Sequence, residues 1–301
     1  MDLVDGSICR PHVAVPVAAR LRGAGALCPR RPERRPEGRP LPSTLTAALS
    51  FAVVLFLGPG ASGPARAGGA ELVVFEAASL KDAFGRLAQR FEKDHPGTTV
   101  VVNAAGTQEL RAQIEHGAGA DVFASADRKH MDALRAEELV VAPAVLTCNE
   151  PVVVIRAGLA ATVTSLADLP RVDRIVVGAP AVPIGAYTER ILEKAAAKYG
   201  ADFPARFGAK IVSRELNVRQ VLAKVTLGEA DAGIVYRSDV VAAAGKVGVL
   251  TIPRELNVTA EYQIAVLKKA PHASLAREWV DLARSPAGAA VLRDAGFEPC
   301  R

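Results

Sequence analysis

Four short stretches of this chain could together hold an anion. They are Ala77-Ala78-Ser79-Leu80 after Glu71–Glu76, Ala104-Ala105-Gly106-Thr107 after Val100–Asn103, Val182-Pro183-Ile184-Gly185-Ala186-Tyr187, and Glu215-Leu216-Asn217-Val218-Arg219. Each leads into a run with helical apolar spacing, and the first two leave an apolar, strand-like run. A helix start offers backbone N–H groups with no intrahelical acceptor and the positive end of a macrodipole, which together favour an anion. Several such starts converging would hold a dianion with no Lys or Arg touching it. That chemistry is capture of an oxyanion, not catalysis.

Each residue in these stretches also has a plainer reading. Ser79 and Thr107 stand where a hydroxyl caps a helix without any ligand. Tyr236 closes the run Asp231-Ala232-Gly233-Ile234-Val235-Tyr236, and a Tyr at a strand end ordinarily packs its ring and wets its hydroxyl. Pro183 and Gly185 read as a turn built to face its backbone amides toward something. Arg190 and Arg219 lie within a turn of these positions, and an exposed place or one behind the site is expected for both. His95, His116, His130 and His272 share no metal spacing and read as surface residues. Asp121, Asp127, Asp231 and Asp239 form no visible nucleophile–base pairing that would argue for hydrolysis.

The elements that must position these residues alternate. Leu72–Phe75, Thr99–Val102, 121–124, Val152–Ile155, Arg174–Val177, Ile211–Val212, Gly233–Tyr236 and 261–266 read as strands. Helical spacing joins Leu80, Phe84, Leu87 and Phe91, then Leu110 and Ile114, Met131 and Leu134, Ile191, Leu192 and Ala195, and Val221, Leu222 and Val225. Leu275, Trp279, Val280 and Leu282 mark a closing helix, and Arg254–Val258 reads as a polar return of the chain. This alternation predicts α/β architecture with largely parallel sheets, whose ligands bind at strand carboxyl ends. No internal repeat is visible.

Charge is distributed unevenly. Residues 1–67 carry nine Arg against Asp2, Asp5, Glu33 and Glu37, which accounts for the whole formal charge of +5. The remainder is neutral, so the basic balance gives no reason to expect nucleic acid as a partner. Arg30–Arg39, the apolar run Leu45–Leu57 and Ala65-Arg66-Ala67 read as a secretory signal with cleavage near Ala67, and export to the periplasm or another extracytoplasmic space is expected. An uncleaved leader would instead tether the chain to a membrane. Cys148 and Cys300 remain after cleavage, and as a sequence pattern they fit no metal site.

In their order these blocks resemble the periplasmic molybdate-binding proteins of ABC transporters, which are type II periplasmic binding proteins. The resemblance spans residues 70–299. It is carried by Ala77–Leu80, Leu110–Ile114, Gly117–Asp127, Val182–Tyr187, Asn217–Arg219, Asp231–Asp239 and Ala295–Phe297. It implies a two-lobe type II fold with mostly parallel sheets, a hinge and a ligand cleft. Lobe I would comprise 68–148 and 258–301, and lobe II 149–257. Carried over residue by residue, Ser79 and Thr107 supply hydroxyl and backbone donors, Ile184 and Val218 backbone amides, and Tyr236 its phenol. Ile184 stands where the family often has Ala, and the second block keeps the single hydroxyl of Thr107 where serines are common.

The implied function is extracytoplasmic capture of molybdate or tungstate by a monomer that delivers to a membrane permease. No cofactor, and no metal beyond the molybdenum of the bound oxyanion, is implied. Sulfate, phosphate and phosphonate are the alternative ligands, and an exported phosphoester-acting enzyme is the alternative class. The family layout also brings Cys148 and Cys300 to the hinge side of lobe I. Two free thiols and a bridge that pins the C-terminal tail are the alternatives there.

Overall fold

The computed structural model of the protein describes residues 69–300, so the basic leader and its cleavage site lie outside the described residues. The strands are β1 (Ala70–Ala77), β2 (Thr98–Ala105), β3 (Val122–Ser125), β4 (Val140–Asn149), β5 (Pro151–Arg156), β6 (Ile175–Gly178), β7 (Ile211–Glu215), β8 (Ala232–Tyr236), β9 (Val247–Thr251) and β10 (Ala260–Leu267). The helices are α1 (Lys81–Asp94), α2 (Thr107–Glu115), α3 (Arg128–Ala136), α4 (Pro183–Tyr199), α5 (Phe203–Gly208), α6 (Val218–Thr226), α7 (Arg237–Ala243), α8 (Ala273–Arg284) and α9 (Pro286–Asp294).

The strands form two five-stranded sheets, ordered β2-β1-β3-β10-β4 and β7-β6-β8-β5-β9. In each sheet the first three strands are mutually parallel, and the fourth, β10 or β5, pairs antiparallel with both of its neighbours. Four of five strands in each sheet therefore run one way, as the alternation of strands and helices implies. The two sheets share one topology although the sequence shows no repeat.

Strand composition matches position. The interior strands β3, β5, β6 and β8 are almost wholly buried and mostly apolar, because helices cover both faces. The edge strands β2, β4, β7 and β9 carry exposed positions along them, and Val101, Val141, Val145, Val212 and Val249 on these edges are exposed. Packing under the first sheet centres on Trp279 of α8, which meets Phe84 and Phe91 of α1 edge-on, each at 5.5 Å between ring centroids. Such contacts add to the apolar area the rings bury and fix how the helices sit.

The chain passes between the sheets twice, at Glu150 and again between β9 and β10. Beside the first crossing Cys148 is bonded to Cys300, with a Cα–Cα separation of 4.9 Å. The backbones of Cys148 and Glu298 exchange two hydrogen bonds, at 2.8 and 2.9 Å, and Thr147 Oγ1 donates to Glu298 O at 2.9 Å. Of the two alternatives left open by the sequence, the bridge is the one present, and it pins the tail.

Five elements escape the sequence reading: β4, β9, α5, α7 and α9. β4 is interrupted by Pro143 and by Ala142 at φ +46°, which removes the simple alternation of a strand. α7 and α9 are short and built largely of small residues, so they leave a weak apolar period. α9 nonetheless begins on Ser285, whose hydroxyl accepts from Gly288 N, followed by Pro286 at its first turn.

Candidate functional site

The carboxyl ends of the parallel strands of both sheets converge on one small cavity. Ala77 ends β1 and Ala78 and Ser79 follow it, Ala105 ends β2 and Gly106 and Thr107 follow it, Ala126 follows β3, Asn217 and Val218 follow β7, and Tyr236 ends β8; Val182–Ile184 open α4. All five residues expected from the sequence, Ser79, Thr107, Ile184, Val218 and Tyr236, line this cavity. The cavity volume is about 20 Å³. One buried water needs roughly 10–15 Å³ on this measure, and drug-sized ligands occupy roughly 300–1,000 Å³. In this arrangement the site therefore takes a small polyatomic group and not a sugar, peptide or nucleotide.

Among the described residues that line it, none carries a charged side chain. What faces the cavity is donor-rich, because the acceptor atoms are already used. Thr107 Oγ1 accepts from Ala126 N at 3.2 Å, which leaves its own proton to donate. Asn217 Oδ1 accepts from Gln220 N at 3.1 Å and so caps α6. The start of α4 has no side-chain cap, so its first-turn N–H groups have no such partner. The Tyr236 hydroxyl is buried and has no hydrogen-bond partner in the protein. Burial, and then the neighbouring phenols of Tyr262 and Tyr187, push Tyr236 well above its usual range, so it remains a protonated donor.

Gly185 explains how α4 reaches this position. A Cβ there would stand 2.0 Å from Ala179 O, so only glycine lets the helix start press against the end of β6. The Val-Pro-x-Gly pattern thus works through backbone approach, and Ile184 itself turns into the core, fully buried.

Tyr262 is the residue that the sequence reading missed. Its hydroxyl lies 2.8 Å from Ser79 Oγ across 183 residues, and it is fully buried on β10. Its ring meets Tyr236 at 5.9 Å, and Tyr236 in turn meets Tyr187 at 6.4 Å, each edge-on. When Tyr262 donates to Ser79, the Ser79 proton is free for the cavity. A lone tyrosine in an apolar strand gives no local signal of that role.

Arg219 stands in the first turn of α6 yet does not line the cavity. It turns away to Asp82 Oδ2 at 2.6 Å, to Ser79 O at 3.4 Å, and brings Nε within 2.8 Å of Asp239 Oδ1. The Nε contact is a close charge pair without an aligned N–H. Arg190 is exposed, as expected. His130 departs from expectation: it is buried, with Nε2 donating to Ala181 O at 3.1 Å, because its helix packs at the cleft and not on the outer surface. The four aspartates are all engaged. Asp121 accepts from Val73 N and His272 N, Asp127 from His130 N, Asp231 from Arg174 N with two arginines beside it, and Asp239 from Tyr236 N.

Behind the cavity burial raises two carboxyls above the ordinary carboxylate range. Glu76 is fully buried with no partner for either oxygen, and burial raises it well above the ordinary carboxylate range. Burial likewise raises Asp239 to about 6, with Arg219 opposing. A carboxyl whose folded-state value lies above its unfolded value stabilises the fold below the unfolded value and loses that contribution as pH rises through the folded one. Stability should therefore fall between about pH 4 and 7 through Asp239, by up to about 3 kcal/mol. Thermal melts across that range should show a flatter profile for Asp239→Asn; equal slopes for variant and wild type would contradict this.

Two mixed sheets, paired helix starts and a buried neutral cavity between them define a two-lobe solute-binding protein. The chain belongs to the bacterial extracellular solute-binding protein family, whose sequence pattern matches residues 72–298. It is 39% identical over 238 residues to the molybdate-binding protein ModA of Mycobacterium bovis, covering 78% of this chain and 87% of that protein. It is 34% identical over 260 residues to the molybdate-binding protein ModA of Escherichia coli, covering 83% of this chain and 95% of the other. The periplasmic molybdate-binding protein of Azotobacter vinelandii shares its fold, with a TM-score of 0.67 at 22% identity, over 76% of this chain and all of that one.

Proposed function

We propose that this chain captures molybdate, or tungstate, outside the cytoplasm and delivers it to the membrane permease of an ABC importer. The ligand is held by the hydroxyls of Ser79 and Thr107, the backbone N–H groups of Ile184 and Val218, and the phenol of Tyr236. The lobes are 68–148 with 258–301, and 149–257, and the exported form is a monomer cleaved near Ala67 that needs no cofactor. One observation carries the reading: a cavity of about 20 Å³ lined by no charged side chain, with the buried Tyr236 hydroxyl left without a partner.

A tetrahedral dianion has only acceptors to offer, which suits a cage whose own acceptors are taken. Each hydrogen bond to a charged group contributes about 1.5–3 kcal/mol net, so five neutral donors need no cation beside them. A preorganised cage in a dry site also spends little on reorientation. The relatives named above as molybdate-binding support this ligand over sulfate or phosphate. Binding is favoured over hydrolysis because Asp121, Asp127, Asp231 and Asp239 are all engaged by backbone amides.

Thermal denaturation of the mature chain with molybdate, tungstate, sulfate and phosphate tests the assignment. Millimolar molybdate and tungstate should raise the melting temperature by mass action, and sulfate should do so at least tenfold more weakly in concentration. A clear shift with sulfate or phosphate and none with molybdate would give the site to another oxyanion.

A further inference from the structure

The five proposed ligand-holding residues are between 0 and 4% exposed, so no ligand enters or leaves unless the two sets of helix starts part. The contacts that bridge them must break for that to happen. Gln108 Nε2 donates to Leu216 O at 2.7 Å, and His130 Nε2 donates to Ala181 O at 3.1 Å. Gly106 lies so close to the opposite side that a Cβ on it would stand 2.3 Å from Leu216 O. Arg219, from the second sheet's half, reaches Asp82 and the carbonyl of Ser79 on the first.

We infer that Arg219 with Asp82, and Gly106 against Leu216, form a latch that sets how long the anion stays. Arg219 is a positioning residue here and not a ligand. It follows Val218, which lines the cavity; it holds the carbonyl of Ser79; and it sits beside Asp239, which accepts from Tyr236 N. One guanidinium thereby ties together three elements that carry donors from both halves. A pocket of about 260 Å³ beside Asp82 and Arg219 keeps the pair partly wet, and Asp82 is 55% exposed, so the ion pair acts modestly. The Gly106–Leu216 approach is backbone against backbone and has no such slack. Gly106 has φ −62°, so alanine fits its own backbone; its Cβ would also press on the Gln108 amide at 2.5 Å, the movable end of a flexible side chain, and the clash with the Leu216 backbone arises when the halves close.

This inference rests on the oxyanion-binding reading, and the experiment separates the two. Wild type, Asp82→Asn, Gly106→Ala and Arg219→Lys are titrated with molybdate, and dissociation is followed by stopped-flow. Ligand-free melting temperatures are taken in parallel. Asp82→Asn should speed dissociation about three- to fivefold, and Gly106→Ala should weaken binding at least tenfold. Both should melt within about 1 °C of wild type without ligand. Arg219→Lys should keep part of the wild-type residence time. Wild-type binding with dissociation from Asp82→Asn and Gly106→Ala within a factor of two of wild type overturns the latch alone. A loss of binding matched by an equal loss of ligand-free stability also overturns it, because the residues would then be merely structural. No heat from wild type with molybdate, sulfate or phosphate overturns the binding reading and the latch with it.

Discussion

Replacing Tyr236 by Phe should weaken molybdate binding by about 1.5–3 kcal/mol, a factor of roughly ten to a hundred, with the fold unchanged. The phenol is buried and lacks any protein partner, so the variant loses one donor to the anion and strands no other group. The ring stays packed against Tyr187 and Tyr262, which preserves stability. Ser79→Ala and Thr107→Ala should lose comparable amounts, although Ser79→Ala also frees the hydroxyl of Tyr262 and Thr107→Ala the amide of Ala126. Arg190→Ala, at an exposed position, should change little. Isothermal titration calorimetry on the four variants decides it. A larger loss at Arg190 than at the hydroxyl residues would show that a cation, and not a neutral cage, holds the ligand.

Removing the bridge with Cys148→Ser and Cys300→Ser should cost about 2–5 kcal/mol of stability. The bond closes a loop spanning 152 residues of sequence, which includes the whole second sheet, so the unfolded chain gains much freedom without it. For a chain of this size that corresponds to a drop of roughly 5–15 °C in melting temperature. Neither cysteine lines the cavity, so affinity for the anion should hold within about threefold. The backbone pairing of Cys148 with Glu298 remains to hold the tail in part, which places the loss below the loop-entropy limit. Calorimetric melts of the oxidised wild type and the double variant check this. Matching melting temperatures would mean the bridge contributes nothing to the stability of the fold.

Much of this arrangement is legible in the sequence because strands buried on both faces advertise themselves. Leu72–Phe75, Val152–Ile155 and Arg174–Val177 are aliphatic runs that only a doubly covered sheet needs, and the helices between them carry clear apolar spacing. The helix starts at Ser79 and Thr107 are legible for the same reason, since small and hydroxyl residues follow strand-like runs there. What escapes is whatever depends on distant partners. Tyr262 acts on Ser79 across 183 residues, and nothing in Glu261-Tyr262-Gln263 distinguishes it from a core tyrosine. Arg219 looks like a helix-surface cation until Asp82 and Asp239 are seen around it. His130 reads as surface because its neighbours Arg128 and Lys129 are polar, yet its side of α3 meets the opposite half at Ala181. The shared topology of the two sheets is invisible too, because it resides in strand order and not in repeated residues.

Crystals of the mature chain grown with tungstate, read by anomalous diffraction at the tungsten edge, test the central claim most directly. The account predicts one strong peak in the cavity, with oxyanion oxygens roughly 2.7–3.2 Å from Ser79 Oγ, Thr107 Oγ1, the amides of Ile184 and Val218, and the Tyr236 hydroxyl. No guanidinium or ammonium should lie within that distance. A peak beside Arg156 and Arg174, the partly buried arginines next to Asp231, or a cavity left empty while calorimetry reports binding, would contradict it.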